Sequence, residues 1–144
     1  MKYEQALTID LPRARVIELF ESFENLREWH PGLQGYEQLE GEPGQPGSRT
    51  KLIYDEEGRA VEMVWTIVER DLPDSLTVTY EAGTLYNRVV HRFTEEGPDR
   101  TRWQTENEVK VKGLLAVLGF LMRGAFPKQT LRKMNRFKEF AEGA

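Results

Sequence analysis

The sequence predicts an α+β fold in which a curved, seven-stranded antiparallel sheet wraps over a long C-terminal helix, with two short helices near the N-terminus. Three observations lead to this prediction. Short segments of alternating polarity lie between residues 33 and 111, separated by turns that contain glycine or proline. The chain opens with one more such segment, which runs into a proline-started helix. After Lys112 the apolar residues change to helical spacing.

The N-terminal part predicts one strand and two short helices. Residues 3–10 alternate in polarity, as in a half-buried strand. Pro12 can open a helix with Asp10 as its cap, because a proline in the first turn loses no hydrogen bond. A second helix is expected from Glu24 to Trp29. It should end at His30-Pro31-Gly32, because a proline disfavours helical geometry in the residue before it.

Residues 33–111 predict six strands arranged as a meander. The turns between them are short, so consecutive strands should be antiparallel neighbours. The segments after the first are rich in β-branched and aromatic residues: Thr50–Tyr54, Val61–Val68, Leu76–Tyr80, Leu85–Phe93 and Arg102–Val111. Together with the N-terminal strand they complete the seven strands of the predicted sheet.

The C-terminal part predicts one long helix from about Leu114 to Glu142. Its second half carries apolar residues at helical spacing: Leu131, Met134, Phe137 and Ala141. Pro127 should kink this helix near its middle. Residues 114–126 are apolar nearly all round, so this half should be buried, contact lipid or meet a partner, and it could act as a lid.

Length and composition indicate a single globular domain over residues 1–144, with 39% hydrophobic and 10% aromatic residues, too many for a disordered chain. The absence of cysteine excludes disulfides, thiolate metal sites and a cysteine nucleophile. The N-terminus lacks the apolar region of a signal peptide. We therefore expect a cytoplasmic protein.

The net charge of −4 conceals an uneven distribution. Residues 112–144 carry seven basic and two acidic residues, a net charge of +5, which leaves −9 on the rest of the chain. We expect the basic helix face to be solvated or paired with acidic strand edges. Peripheral membrane contact through that face stays open as an alternative, while nucleic-acid binding is not expected. The face comprises Lys128, Arg132, Lys133 and Arg136.

The order of elements resembles that of the START-like superfamily, also called SRPBCC, and in particular its polyketide cyclase/dehydrase and lipid-transport group. The opening IDLPRARVIELFESFENLREWHPGL is similar to the strand, proline-started helix and tryptophan-proline turn of that group. Three further segments match its turns and closing helix: GEPGQPGSRTKL, TIVERDLPDSLTVTY and TLRKMNRFKEFAE. The resemblance covers essentially the whole chain and implies the helix-grip fold. It does not select one chemistry, because the superfamily includes carriers, receptors, cyclases and hydrolases.

Alternation along the strands assigns side chains to the concave face, where such a fold holds its cavity. The last two strands place two polar pairs, Asn87/His91 and Thr105/Asn107, on a face that is otherwise apolar. A largely apolar pocket with a few converging polar groups is typical of small-molecule sites. The alternative is that these four residues satisfy one another or an ordered water. The predicted ligand contacts are Tyr54, Met63, Trp65, Tyr80, Asn87, His91, Phe93, Trp103, Thr105, Asn107, Leu118 and Met122.

The two histidines do not predict a catalytic or metal centre. His91 has no carboxylate expected beside it to orient a general base. His30 lies in the turn before Pro31, where we expect a surface or hinge residue at the mouth of the cavity. A metal site needs about three converging ligands, which this sequence does not offer. No cofactor is expected, since the phosphate-binding glycine motifs are missing.

The sequence therefore predicts a non-catalytic binder or carrier of an apolar or amphipathic small molecule, of lipid-, polyketide- or isoprenoid-like character. Two alternatives stay open. One is a cyclase- or dehydratase-type enzyme that uses the same pocket, with His91 or Tyr54 as acid and base. The other is a protein- or membrane-interaction module that acts through the C-terminal helix. We expect an apolar ligand as the partner and a chain that is a monomer or a homodimer.

Overall fold

A computed structural model describes residues 1–113 and 124–144 and shows a seven-stranded antiparallel sheet, as predicted. Its strands are β1 (Lys2–Ile9), β2 (Leu33–Glu40), β3 (Arg49–Glu56), β4 (Arg59–Asp71), β5 (Ser75–Ala82), β6 (Leu85–Glu95) and β7 (Thr101–Val111). The strand order is β1-β7-β6-β5-β4-β3-β2, so β2 to β7 form a meander and β1 pairs with β7. The curved sheet, the short helices and the C-terminal helix form the helix-grip fold.

The helices differ from the prediction at their ends. They are α1 (Arg13–Glu21), a 3₁₀ helix (Phe23–Asn25), α2 (Leu26–Trp29) and α3 (Ala125–Gly143). The N-cap of α1 is Pro12, and no side chain caps the helix, so the prediction that Asp10 is the cap was wrong. Asp10 precedes the cap by two residues. Its carboxylate instead lies 3.5 Å from Arg100.

The C-terminal helix is shorter than predicted. Helix α3 begins at Ala125, so Pro127 lies in its first turn and not in the middle of a longer helix. A proline there removes no intrahelical hydrogen bond, because the first backbone N–H groups of a helix have no partner. The prediction of a kink at mid-helix was therefore wrong. The apolar half predicted to act as a lid falls largely on residues 114–123, which lie outside the described residues.

Helix α3 packs on the sheet through the apolar residues that predicted it. Met134, Phe137 and Ala141 are buried at helical spacing. Phe137 is fully buried, and its ring lies 5.1 Å from Trp29 and 5.2 Å from Trp103 between centroids. These rings belong to a group that we call the aromatic cluster, formed by Phe20, Trp29, Phe93, Trp103 and Phe137. The cluster joins α1, α2, α3 and the sheet into one core.

Alternation predicts the concave face of the sheet correctly but not every buried residue. The predicted ligand contacts on β3 to β7 are all buried or half-buried, whereas Thr77 and Thr79 of β5, which belong to the opposite face by the same alternation, are buried as well. A bulge interrupts the β4–β5 pairing between Ile67 and Glu69, and leaves Val68 46% exposed. Because this bulge follows the inward-facing part of β4, it does not disturb the pattern there.

Within the described residues, no helix is both long enough and apolar enough to cross a membrane.

Replacing Phe137 by alanine tests the role of the aromatic cluster. The truncation leaves a cavity against Trp29 and Trp103, so we expect the free energy of unfolding to fall by about 3–5 kcal/mol. Glu139→Ala, an exposed change on the same helix, is the control and should stay within about 0.5 kcal/mol of the wild type. Urea denaturation measures both. Equal effects of the two variants would contradict a core centred on this ring.

Gly32 fixes the turn between α2 and β2. Its φ is +77°, and a Cβ atom there would lie 2.7 Å from the Asp55 carbonyl oxygen. Gly83, with a φ of +58° and open space around it, is a matched control. Both alanine variants carry the cost of a left-handed backbone, while Gly32→Ala adds a clash worth roughly 1–3 kcal/mol. In thermal denaturation, Gly32→Ala should have a lower melting temperature than Gly83→Ala. The opposite order would contradict this packing of the turn.

Candidate functional site

Among the described residues, two small cavities lie between the sheet and the helices. The first, which we call the polar cavity, has a volume of about 40 Å³. Its lining comes from α2, β5, β6, β7 and α3: Trp29, Tyr80, Asn87, Val89, His91, Trp103, Thr105, Asn107, Thr130, Lys133 and Met134. This volume holds a few water molecules or the polar head of a larger molecule.

The second cavity, which we call the aromatic cavity, has a volume of about 20 Å³. Its lining comes from the N-terminal helices and from β3, β4 and β5: Phe20, Glu21, Phe23, Leu26, Trp29, His30, Leu52, Trp65 and Tyr80. Trp29 and Tyr80 line both cavities, so the two are adjacent.

Strand register brings the polar residues of β6 and β7 together. His91 is opposite Thr105, and Val89 is opposite Asn107, while Asn87 on β6 faces Tyr80 of β5. Side chains two residues apart on a strand share a face. The four polar residues predicted from alternation therefore line one cavity, as expected from the sequence.

His91 accepts a hydrogen bond from the Trp103 indole, whose Nε1 lies 3.2 Å from His91 Nδ1. An indole N–H can only donate, so Nδ1 carries no proton and the neutral imidazole is protonated on Nε2. Burial, and then the nearby charge of Lys133, lower the pKa of His91 to about 3. The site therefore presents a neutral ring with an N–H donor at Nε2.

Three residues that line the polar cavity each have a buried polar atom with no hydrogen-bond partner among the described residues. The three atoms are Nε1 of Trp29, Oδ1 of Asn87 and Nε2 of His91. Buried polar groups are nearly always hydrogen-bonded, since an unmade bond costs about 1–3 kcal/mol. Two N–H donors and one amide acceptor are thus available to a molecule in this cavity.

The other polar pair on this wall is satisfied within the protein. The Asn107 amide donates to the Thr105 hydroxyl over 3.0 Å, and that hydroxyl lies 3.5 Å from the Met134 sulfur. The alternative in which the four polar residues satisfy one another thus holds for Thr105 and Asn107. It does not hold for Asn87 or for His91 Nε2.

His30 is buried, with 2% of its surface exposed, so the expectation of a surface residue was wrong, while a hinge role stays a prediction. Its Nδ1 lies 2.8 Å from the Tyr54 hydroxyl, while its Nε2 has no partner within the described part of the chain. Burial lowers the pKa of His30 well below its usual value, and burial raises the pKa of Tyr54. Both groups are therefore neutral near pH 7.

Lys133 was predicted on a solvated or ion-paired helix face, but the structure places it half-buried in the wall of the polar cavity. Its Nζ lies 5.4 Å from the centre of the Tyr80 ring. Burial lowers the pKa of Lys133 to about 8. The ammonium is thus present at neutral pH and faces the cavity. The neighbouring basic residues Lys128, Arg132 and Arg136 are exposed, as predicted.

The predicted ligand contacts divide into three groups. The first group lines a cavity. Trp65 and Tyr80 line the aromatic cavity. Six residues line the polar cavity: Tyr80, Asn87, His91, Trp103, Thr105 and Asn107. Tyr54, Met63 and Phe93 are buried or half-buried but line neither of these two cavities. Leu118 and Met122 lie outside the described residues, so their role stays a prediction.

The sequence interpretation missed Trp29, His30 and Lys133 as wall residues. Trp29 ends the four-residue helix α2 and His30 follows it, and a segment this short gives no periodicity from which burial could be predicted. Lys133 could have been found, since it lies three residues after Thr130 and four before Phe137 on the helix face that meets the sheet.

Among residues 1–113 and 124–144, no group of three or more histidine and carboxylate side chains is arranged to hold a metal ion.

The buried histidines predict a loss of stability at acidic pH. Unfolding returns each imidazole to a pKa near 6.5, so below that pH the unfolded chain binds more protons and the folded state is disfavoured. For His91, with a folded pKa of about 3, the free energy of unfolding should fall by about 2 kcal/mol by pH 5. His91→Gln should remove this contribution to the decrease between pH 7 and pH 5, as measured by urea denaturation. An unchanged pH dependence in His91→Gln would show that His91 is already charged when folded.

Comparison with known proteins places this geometry in a family. The chain matches the family described as polyketide cyclase / dehydrase and lipid transport over residues 1–139. No curated protein matches it in sequence.

Solved structures share the fold at low sequence identity. A START superfamily protein from Mycobacterium smegmatis has a TM-score of 0.80 at 14% identity, over 99% of this chain and 97% of that one. The Zhui aromatase/cyclase from Streptomyces sp. R1128 has a TM-score of 0.79 at 14% identity, over 99% and 93%. Norcoclaurine synthase from Thalictrum flavum, in complex with dopamine and hydroxybenzaldehyde, has a TM-score of 0.73 at 13% identity, over 97% and 85%.

These likenesses show the fold, and the family match extends over nearly the whole chain. The protein belongs to the polyketide cyclase/dehydrase and lipid-transport family.

Proposed function

We propose that the protein binds and carries an apolar or amphipathic small molecule, with its polar end in the polar cavity. The observation that carries this proposal is that Trp29, Asn87 and His91, which all line the polar cavity, each have a buried polar atom with no hydrogen-bond partner among the described residues. A domain under selection for stability alone has no use for such atoms, since each costs free energy in the folded state. A bound molecule that pairs with them removes that cost.

The surroundings favour an apolar or aromatic body for the ligand. The aromatic cavity adjoins the polar one, and its wall includes the rings of Phe20, Phe23 and Trp65. Both cavities are small, so a ligand of more than a few non-hydrogen atoms needs the interior to widen when it binds. Norcoclaurine synthase, which shares the fold, is known in complex with two small aromatic molecules, in keeping with this use of the helix-grip fold.

The described geometry gives less support to the enzyme alternative. His91 Nδ1 is engaged by Trp103 and its pKa of about 3 keeps the ring neutral, so it is a poor general base near pH 7. Burial moves the pKa values of Tyr54 and His30 in opposite directions, away from neutrality. An acid and base pair works best with pKa values near the working pH.

The interaction-module alternative receives little support from the exposed surface of α3. Lys133 faces the interior, and the Lys138 ammonium donates hydrogen bonds to the Thr8 carbonyl and to the Glu142 carboxylate, 2.9 Å away. Three cations remain exposed on the basic face: Lys128, Arg132 and Arg136. Such a surface is common on solvated helices.

Native mass spectrometry of the protein purified from its own host tests the proposal directly. We expect a retained small molecule of largely apolar character, released on denaturation and identified by its mass in the extract. A chain that carries no molecule, and that also fails to enhance the fluorescence of the uncharged probe N-phenyl-1-naphthylamine, would contradict the proposal.

Asn87→Leu separates a binding role from a structural one. Because Asn87 Oδ1 has no partner in the described structure, the change should leave the free energy of unfolding within about 0.5 kcal/mol of the wild type or raise it. Retention of the native molecule should nevertheless fall.

Thr77→Val is the matched control, since Thr77 is a buried polar residue of β5 that lines neither cavity. It should leave retention unchanged. A loss of more than about 1 kcal/mol of stability in Asn87→Leu, with retention unchanged, would assign Asn87 to the fold instead.

A further inference from the structure

We propose, building on the proposed function, that the polar cavity takes a carboxylate, so that the carried molecule is an amphipathic carboxylic acid whose head group pairs with Lys133. The structural basis is that Lys133, His91 and Trp29 line a single small cavity, and that the two N–H donors have no partner among the described residues.

The charge of Lys133 lacks a compensating anion in the part of the chain that the structure describes. Burial is the one cause of its lowered pKa, and no neighbouring carboxylate contributes to it. Residues 114–123, LLAVLGFLMR, contain no aspartate or glutamate either, so no acidic side chain of that segment can serve as a counter-ion. A half-buried cation without a counter-ion is costly, and an anionic ligand would remove that cost.

The other donors match the two oxygens of a carboxylate. Because Trp103 occupies Nδ1 of His91, the proton lies on Nε2 and is free to be donated into the cavity. The Trp29 indole N–H is a second free donor on the same wall. A carboxylate offers about four lone-pair positions and is acceptor-only, so it can receive both N–H groups and the ammonium together.

The position of Asn87 is compatible with this ligand. Its amide oxygen and nitrogen are nearly isosteric, so a half-turn of the side chain presents the NH₂ group to a carboxylate.

Size and charge favour a carboxylate over a phosphate. The cavity has a volume of about 40 Å³, which suits a head group of three non-hydrogen atoms. One ammonium balances the single charge of a carboxylate, whereas a phosphate ester carries up to two charges and three acceptor oxygens at neutral pH.

The test compares two probes that differ only in the head group, decanoate and decanamide, by isothermal titration calorimetry at pH 7. Decanoate should bind the wild type at least about tenfold more tightly, as for a charge-assisted hydrogen bond. Lys133→Met should weaken decanoate about tenfold or more and change decanamide by less than about twofold. Lys128→Met, an exposed lysine on the same helix, should change neither.

The outcomes separate this inference from the proposed function. Equal binding of decanoate and decanamide to the wild type would overturn the carboxylate assignment and leave the carrier proposal standing. An equal loss of affinity for decanoate and decanamide in Lys133→Met, at unchanged melting temperature, would also overturn the carboxylate assignment. No binding of either probe, together with no molecule retained by the native protein, would overturn both proposals. The wild-type comparison needs no variant, so it stands even if Lys133→Met fails to fold.

Discussion

The hydrogen bond from the Trp103 indole to His91 Nδ1 is the interaction on which the interior of this protein depends. It holds two buried rings of β6 and β7 in a stacked arrangement, with centroids 5.9 Å apart. It also fixes the histidine tautomer, because the indole can only donate. The other ring nitrogen, Nε2, therefore carries the proton of the neutral imidazole. One bond thus stabilises the core and sets the chemistry of the site.

The polar groups of the interior fall into two kinds. Thr105 and Asn107 bond to each other and behave as ordinary buried polar residues. Trp29, Asn87 and His91 each keep one atom without a partner in the described structure, all on the wall of one cavity. Natural proteins keep such locally unfavourable features mainly at functional sites. Trp29, Asn87 and His91 line the same cavity as the half-buried Lys133, and this is the basis on which we propose a ligand there.

The sequence predicts the sheet well because period-two alternation and short turns are local signals. The positions of Asn87, His91, Thr105 and Asn107 on one face followed from counting along two strands. The two places where helix prediction failed, Asp10 and Pro127, depend on where a helix begins, and that is decided by packing within one or two residues.

The site could be predicted only in part, for a physical reason. Whether a polar side chain finds a partner depends on distances across elements, which alternation does not contain. Asn107 bonds to Thr105, whereas Asn87 Oδ1 has no partner in the described structure, yet alternation places both asparagines on the same face in the same way. Trp29 and His30 lie at the end of the short helix α2, which shows no periodicity, so their burial follows from the docking of α2 against α3 and the sheet.

A crystal structure at high resolution of the protein purified from its own host measures the central point most directly. If the interior binds a ligand, the electron density should show a molecule larger than water, with a polar group about 3 Å from His91 Nε2 and Trp29 Nε1. Density for ordered waters alone at these atoms, in a cavity of unchanged volume, would contradict it.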